Sequence, residues 1–334
     1  MIEGLLLRTA LVPIIACAGI LLGLLYRGLD RVLVARMQSR VGPPVTQPFR
    51  DVKKLLLKEN IVPRDAVGWI FNSVPVIALS VTVLILLYLP FIGMEPVLEG
   101  HGDLILVIYL LLIPSLALVL GGFSSGSTYA TVGAQREMVT MMSYEFPLAV
   151  ASVSIAWIIS AANPGIAAFS LGAIAMNPAW AAVGPLGLLG LALLLLTMLA
   201  VMPGELGVAP FDVAEAETEI AGGVLVEYSG RNLAMFYLAD AVKAVVLGTI
   251  VIALFLPWGI AGSLGITGMA AVAADAIFYL VKLFIVIFVG SIFIRAAIAR
   301  FRITQVVKAY WGYATFVSLL GLLLISLDML SRLL

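Results

Sequence analysis

Eight apolar stretches, each close to the length that crosses a bilayer core, dominate this sequence. They lie near 5–26, 69–90, 104–122, 146–162, 184–202, 234–257, 275–296 and 310–330. About 20 apolar residues in helical form span the hydrocarbon core, and a helix satisfies its own backbone hydrogen bonds. With 63% hydrophobic and 11% charged residues, the chain lacks the polar surface of a water-soluble domain. It is therefore predicted to be an all-α polytopic membrane protein, one transmembrane domain over 1–334, whose first stretch is a retained helix.

Basic residues divide unevenly between the loops. The loops after the odd-numbered stretches carry fifteen Lys and Arg residues, and the loops after the second, fourth and sixth stretches carry none. Because Lys and Arg are retained on the cytoplasmic side, we expect a multi-pass protein of the cell membrane with both termini on the non-cytoplasmic side. We expect the chain to contact the lipid bilayer, and we expect no nucleic-acid partner.

Redox ligands are scarce in this chain. It has one cysteine, Cys17, and one histidine, His101. Iron–sulfur clusters, paired haem ligands and thiolate zinc sites all need more of these residues. We therefore expect no metal site and no cofactor in this chain, so that any redox chemistry belongs to partner subunits.

The segment 48–59, PFRDVKKLLLKE, has the pattern of an amphipathic helix at the membrane surface. Phe49, Val52, Leu55 and Leu56 share one face, and the basic residues lie largely elsewhere. Two interpretations remain open, a headgroup-bound anchor and a docking element for a partner.

A long acidic loop, 203–233, connects the fifth and sixth stretches. Six carboxylates stand against the single Arg231: Glu205, Asp212, Glu215, Glu217, Glu219 and Glu227. At helical spacing, Asp212, Glu215 and Glu219 are expected to share one face, where crowded like charges favour holding and releasing protons. A solvated acidic helix and a docking surface for a basic partner are the alternatives.

Other ionisable residues fall inside or at the edges of the apolar stretches, where charge is usually functional. Glu145 begins the fourth stretch. Asp240 and Lys243, spaced i, i+3, are expected to neutralise each other or to join a proton pathway. Lys282 has no partner nearby in the sequence, and we predict that it belongs with Glu145 to one charged pathway.

Four motifs stand out in the loops and at the helix ends, SSGSTYATVGAQREMVTMMSYE at 124–145, PFDVAEAETEIAGG at 210–223, VEYSG at 226–230 and FIRAAIARFRITQ at 293–305. They resemble the complex I membrane subunit that roofs the quinone chamber, known as subunit 1 of the respiratory-chain NADH dehydrogenase. With VARMQSRVGPP at 34–44 and QPFRDVKKLLLKE at 47–59, the match runs from 27 to about 308. The resemblance implies that the acidic loop begins a proton-conducting channel and that the cytoplasmic loops grip a peripheral arm.

Site residues follow from the resemblance together with the charge pattern. The expected proton pathway comprises Glu145, Glu205, Asp212, Glu215, Glu217, Glu219, Glu227, Asp240, Lys243 and Lys282. The expected docking residues are Arg36, Gln38, Arg40, Gln47, Asp51, Lys54, Arg136, Glu137, Arg295 and Arg302.

Three departures from the usual complex I pattern indicate a branch of the superfamily. The loop has Val208 where E-T-N-R-x-P-F-D has its arginine, Glu137 replaces an apolar residue, and the loop between 43 and 47 is shorter. The chain is more similar to membrane subunits of energy-converting hydrogenases, formate hydrogenlyase and sulfane-reducing complexes. That branch implies NiFe-hydrogenase-like large and small peripheral subunits, which carry a NiFe centre and iron–sulfur clusters, and antiporter-like membrane subunits.

Two other functions remain as alternatives. One is the quinone-chamber subunit of a complex I. The other is a stand-alone secondary transporter that uses Glu145, Glu219 and Lys282, although the chain lacks the internal repeat that such transporters usually have.

Overall fold

The fold is a bundle of long helices joined by short helical turns. The computed structural model describes residues 2–94, 96–98, 100 and 102–333, so His101 lies outside the described residues. The α-helices are α1 Ile2–Met37, α2 Gln47–Leu57, α3 Gly68–Tyr88, α4 Asp103–Ser124, α5 Thr128–Ala162, α6 Leu171–Met176, α7 Ala179–Ala182, α8 Pro185–Glu205, α9 Glu217–Ile220, α10 Gly230–Phe255, α11 Ala261–Leu264, α12 Met269–Ile287, α13 Ile294–Ala297, α14 Ile303–Val307 and α15 Thr315–Leu333. Two π-helical segments, Phe288–Phe293 and Lys308–Ala314, make the last two long helices continuous.

Eight of these helical segments are long and apolar enough to cross a membrane. They coincide with the eight predicted stretches, so the predicted all-α polytopic class is confirmed. Several boundaries differ from the prediction, two of them by more than ten residues. The first helix continues to Met37 and the fourth begins at Thr128, because charged residues inside a helix lower hydropathy without interrupting the backbone hydrogen bonds.

Helix α10 forms the centre of the bundle. In the most apolar 18 residues of α10, 89% of the residues are buried. In each of the other seven spanning segments the buried share of the corresponding stretch is 50% or less. From Ala241 to Phe255 its side chains are apolar on nearly every side, the pattern of a helix enclosed by other helices. It packs against α1, α2, α3 and α12, so its few charged residues must find partners inside the protein.

The predicted amphipathic helix is confirmed as α2, which begins at Gln47 and ends at Leu57. It buries Pro48 and Val52 against the bundle. Leu56 and Leu57 stay exposed, at 54% and 80%. We call the end of the bundle that carries α2, the loop 206–229 and the segment 298–302 the basic end. The end that carries 163–170 and 256–268 is the neutral end.

The acidic loop is not one helix, and the prediction that Asp212, Glu215 and Glu219 share a helical face is wrong. Helix α8 ends at Glu205, α9 covers only Glu217–Ile220, and α10 starts at Gly230. Gly207 and Gly222 adopt left-handed conformations, with φ of 57° and 97°, which interrupt a regular helix. The irregular backbone contacts the segment 298–302, where the amide of Phe301 donates to the carbonyl of Pro210 at 2.9 Å.

Candidate functional site

A cavity of about 310 Å³ lies at the basic end, enclosed by the ends of α1, α5, α8 and α10, by α2 and by the acidic loop. Charged side chains dominate its lining. Eight are carboxylates, namely Asp30, Asp51, Glu137, Glu205, Asp212, Glu215, Glu217 and Asp240, and four are cations, namely Arg27, Arg31, Lys243 and Arg295. With every group ionised the lining has four negative charges in excess. Since buried like charges repel strongly, some of these carboxyls are expected to hold protons at neutral pH.

The most deeply buried charges of the cavity are Glu205 and Lys243. Lys243 Nζ lies 2.8 Å from Glu205 Oε1, although the contact lacks hydrogen-bond geometry and this oxygen has no hydrogen-bond donor among the described residues. Lys243 Nζ does donate to Ser115 Oγ at 3.0 Å, and Ser115 Oγ lies 3.3 Å from Tyr144 Oη. A polar path therefore leads from the cavity into the contact between α4 and α5.

Asp240 and Lys243 do not neutralise each other, contrary to one of the two expectations for this pair. Asp240 lies 3.9 Å from Arg27 of α1, and Lys243 faces Glu205 of α8. Although side chains at i and i+3 lie on the same face of a helix, the tight packing around α10 offers each of them a partner on another helix.

Three residues of α1 that the proton-pathway prediction missed bind three different elements. Arg27 faces Asp240 of α10, Asp30 pairs with Arg295 of α13, and Arg31 Nη1 lies 2.8 Å from Asp51 Oδ2 of α2. The sequence contains one signal for this arrangement, the spacing i, i+3, i+4 of Arg27, Asp30 and Arg31, which puts them on one face of a helix.

The acidic loop separates its carboxylates into two groups. Two of them pair with arginines: Asp212 accepts two hydrogen bonds from Arg300, at 2.8 and 2.5 Å, and Glu219 Oε2 lies 2.5 Å from Arg136 Nη1. Glu215 and Glu217 line the cavity without an arginine partner among the described residues, and Asp212 lines it as well as pairing with Arg300. Glu227 is not among the cavity-lining residues, so the structure does not bring all six predicted carboxylates together.

Glu215 is the loop carboxyl with the most strongly perturbed protonation. Its half-buried side chain lines the cavity. Burial, followed by the nearby carboxylates Asp240 and Glu137, raises the pKa of Glu215 to about 8. Glu215 is therefore able to exchange a proton near neutral pH.

Glu137 lies in a different place from the one expected of a docking residue. It is 8% exposed and lines the cavity from α5. Because a buried side chain does not reach a partner's surface, its predicted position among the docking residues is wrong. Its neighbour Arg136 pairs with Glu219, so this part of α5 holds the acidic loop in place.

The other predicted docking residues lie at the basic end with different exposures. Arg36, Gln38, Arg40, Lys54 and Arg302 are exposed, whereas Gln47 and Asp51 are half-buried and hydrogen-bonded to each other at 2.8 Å. Arg295 lines the cavity as the partner of Asp30. The exposed members form a basic surface beside the cavity.

Glu145 and Lys282 are not brought together. Glu145 is a half-buried residue inside α5, outside the cavity lining. Lys282 Nζ donates to the carbonyls of Leu256 and Trp258, both at 2.8 Å, where the chain leaves α10 at the neutral end. Lys282, which was predicted to share a charged pathway with Glu145, thus binds backbone oxygens beside the end of another helix.

A bundle of eight helices long enough to cross a membrane, with a carboxylate-rich cavity beside an exposed basic surface, places this chain among the polytopic membrane proteins. The sequence profile of the family described as NADH dehydrogenase matches residues 9–326. The chain belongs to the NADH dehydrogenase subunit 1 family, and within it to the membrane subunits of complex I-like or hydrogenase-type respiratory complexes.

Individual relatives come from both branches of this family. Hydrogenase-4 component C of Escherichia coli is 33% identical over 288 residues, with 86% of each chain covered. The corresponding subunit of the NADH-quinone oxidoreductase of Dehalococcoides mccartyi is 26% identical, and the alignment covers 92% of this chain and 83% of the other. A chain in the solved structure of the membrane-bound sulfane sulfur reductase, an archaeal respiratory membrane complex, superposes with a TM-score of 0.82 at 30% identity. That alignment covers 96% of this chain and 99% of the other.

Proposed function

We propose that this chain couples a peripheral redox arm to ion translocation in a hydrogenase-type respiratory complex. The cavity with eight carboxylates against four cations is the observation that carries the proposal. It offers groups that take up and release protons inside a membrane bundle, and the pKa of about 8 at Glu215 suits exchange near neutral pH. The cavity would begin a proton-conducting path toward antiporter-like membrane subunits.

The exposed basic residues support the second part of the proposal, the docking of the arm. Arg36, Arg40, Lys54 and Arg302 lie at the same end of the bundle as the cavity. Complementary charge favours and orients association. We infer that this end faces the cytoplasm, in keeping with its basic loops, and holds NiFe-hydrogenase-like large and small subunits whose NiFe centre and iron–sulfur clusters do the redox chemistry.

The hydrogenase branch is favoured over the quinone branch by the chemistry of the cavity. Its lining is mostly charged, whereas a quinone with its apolar tail binds in apolar sites with few polar groups.

The test compares two amide variants of the same loop in the intact complex. Glu215→Gln should abolish coupled ion translocation while the partner's redox reaction continues, because it removes an exchangeable proton from the cavity. In the wild type, translocation should fall as the pH rises through about 8, where Glu215 loses its proton.

Glu227→Gln is the matched control, since Glu227 belongs to the same loop but does not line the cavity. It should keep wild-type translocation and the wild-type pH profile. Subunit content is measured first in both variants. If an assembled Glu215→Gln complex translocates ions at the wild-type rate, the proposal is wrong and the loop is a solvated acidic surface without a role in transport.

A further inference from the structure

We propose that the charged turn of α1 links the surface helix α2 to the carboxylate cavity, so that proton occupancy of the cavity and the seating of α2 depend on each other. The proposal rests on the proposed function, since it assigns to Arg27 and Arg31 the positioning role that joins the docking surface to the proton site. Neither arginine needs to carry a proton itself.

The first step concerns the contact of α2 with the rest of the bundle, which includes one ion pair among the described residues. Within the described part of the chain, Asp51 is the α2 side chain that forms an ion pair, with Arg31 at 2.8 Å. Gln47 holds the other oxygen of the same carboxylate at 2.8 Å. Although partial burial opposes it, the hydrogen bonds from Arg31 and Gln47 lower the pKa of Asp51, so this carboxylate is ionised wherever the cavity titrates.

The second step is that Arg31 also faces the cavity. Arg27 and Arg31 are one helical turn apart, and both line it together with Asp51. The other titratable or charged groups that line it are Tyr237, Asp240 and Lys243 of α10, Glu137 of α5, Glu205 of α8, Asp30 and Arg295, and Asp212, Glu215 and Glu217 of the loop. Arg31 therefore lies between the ionised Asp51 of α2 and the excess of carboxyl groups that line the cavity.

The third step is electrostatic competition for Arg27 and Arg31. When Glu215 is protonated, the cavity attracts these cations less and Arg31 stays with Asp51, which holds α2 in place. When Glu215 loses its proton, the added negative charge draws both arginines inward and weakens the Arg31–Asp51 contact. Since linkage is reciprocal, a movement of α2 that frees Arg31 must favour proton release from the cavity.

The test is hydrogen exchange of residues 47–57 in the intact membrane complex in detergent, expressed as protection factors to remove the intrinsic pH dependence. Arg31 and Asp51 are partly exposed, with 43% and 33% of their side chains accessible, and such pairs change an opening equilibrium by about two- to fivefold. In the wild type, the protection of α2 should fall by that factor as the pH rises through about 8.

Variants separate the link from a general effect of pH on α2. The step in protection should disappear in Glu215→Gln, although Glu215 is not part of α2, and in the neutral pair Arg31→Gln with Asp51→Asn. In the charge swap Arg31→Asp with Asp51→Arg, which keeps both the pair and the net charge, protection should no longer fall as the pH rises, because a carboxylate at position 31 is repelled by the deprotonated cavity and not drawn into it. The step should persist in Lys53→Gln, a matched change on the exposed face of the same helix.

Two results would overturn the link: protection of α2 that does not change with pH in the wild type, and a step that survives in the neutral pair. Neither depends on turnover. If the step is missing while Glu215→Gln still abolishes translocation, the link between α1 and α2 is wrong and the proposed function stands.

Discussion

Replacing Lys243 by methionine is expected to destabilise the bundle by leaving Glu205 without its counter-charge. The two side chains are 5% and 3% exposed and 2.8 Å apart. Removing one partner of a buried ion pair costs about 3–5 kcal/mol, because the remaining charge stays desolvated. The midpoint of thermal unfolding of the complex in detergent should therefore fall by roughly 5–10 °C.

The double variant identifies the source of this cost. Lys243→Met combined with Glu205→Gln removes the stranded charge and should recover at least about half of the lost stability, since replacing both partners is far less costly than removing one. Lys53→Met, at an exposed position of α2, is the matched control and should stay within about 0.5 kcal/mol of the wild type. A double variant that unfolds at the same temperature as Lys243→Met would refute the reasoning.

Two further predictions concern the two ends of the bundle. Arg36→Glu with Arg40→Glu should release the hydrophilic subunits from washed membranes, because both side chains belong to the exposed basic surface, and an intact, active complex would contradict docking there. Lys282→Met should lower thermal stability by about 1.5–3 kcal/mol, because two charge-assisted hydrogen bonds to the carbonyls of Leu256 and Trp258 are lost. Redox turnover and translocation should then decline together, whereas loss of translocation alone would place Lys282 in the ion pathway.

The sequence was sufficient to predict many of the residues of the candidate site, but not which of them contact each other. Glu205, Glu215, Glu217, Asp240 and Lys243 were all predicted for the proton pathway, and all line the cavity. Their pairing was not predictable from spacing, because Lys243 finds Glu205 on a different helix. The role of α1 was missed for the same reason, since the partners of Arg27, Asp30 and Arg31 lie far along the chain.

Local rules failed where the backbone leaves regular structure. Helical spacing put Asp212, Glu215 and Glu219 on one face, yet Gly207, Gly222 and the contact of Pro210 with Phe301 keep the loop irregular. As a result, Asp212 pairs with Arg300, Glu215 lines the cavity and Glu219 pairs with Arg136. Similarly, Glu137 was expected among the docking residues, yet it is 8% exposed and lines the cavity from α5.

The sequence by itself determined the class of the protein, its eight spanning helices, the surface helix α2 and the family, because these depend on hydropathy, helical periodicity and contiguous motifs. Tertiary structure alone decided which charges meet. The energy of an ion pair depends on the distance between two atoms and on their removal from water. Both quantities are set by how α1, α8 and α10 pack together, and a linear pattern of residues does not contain them.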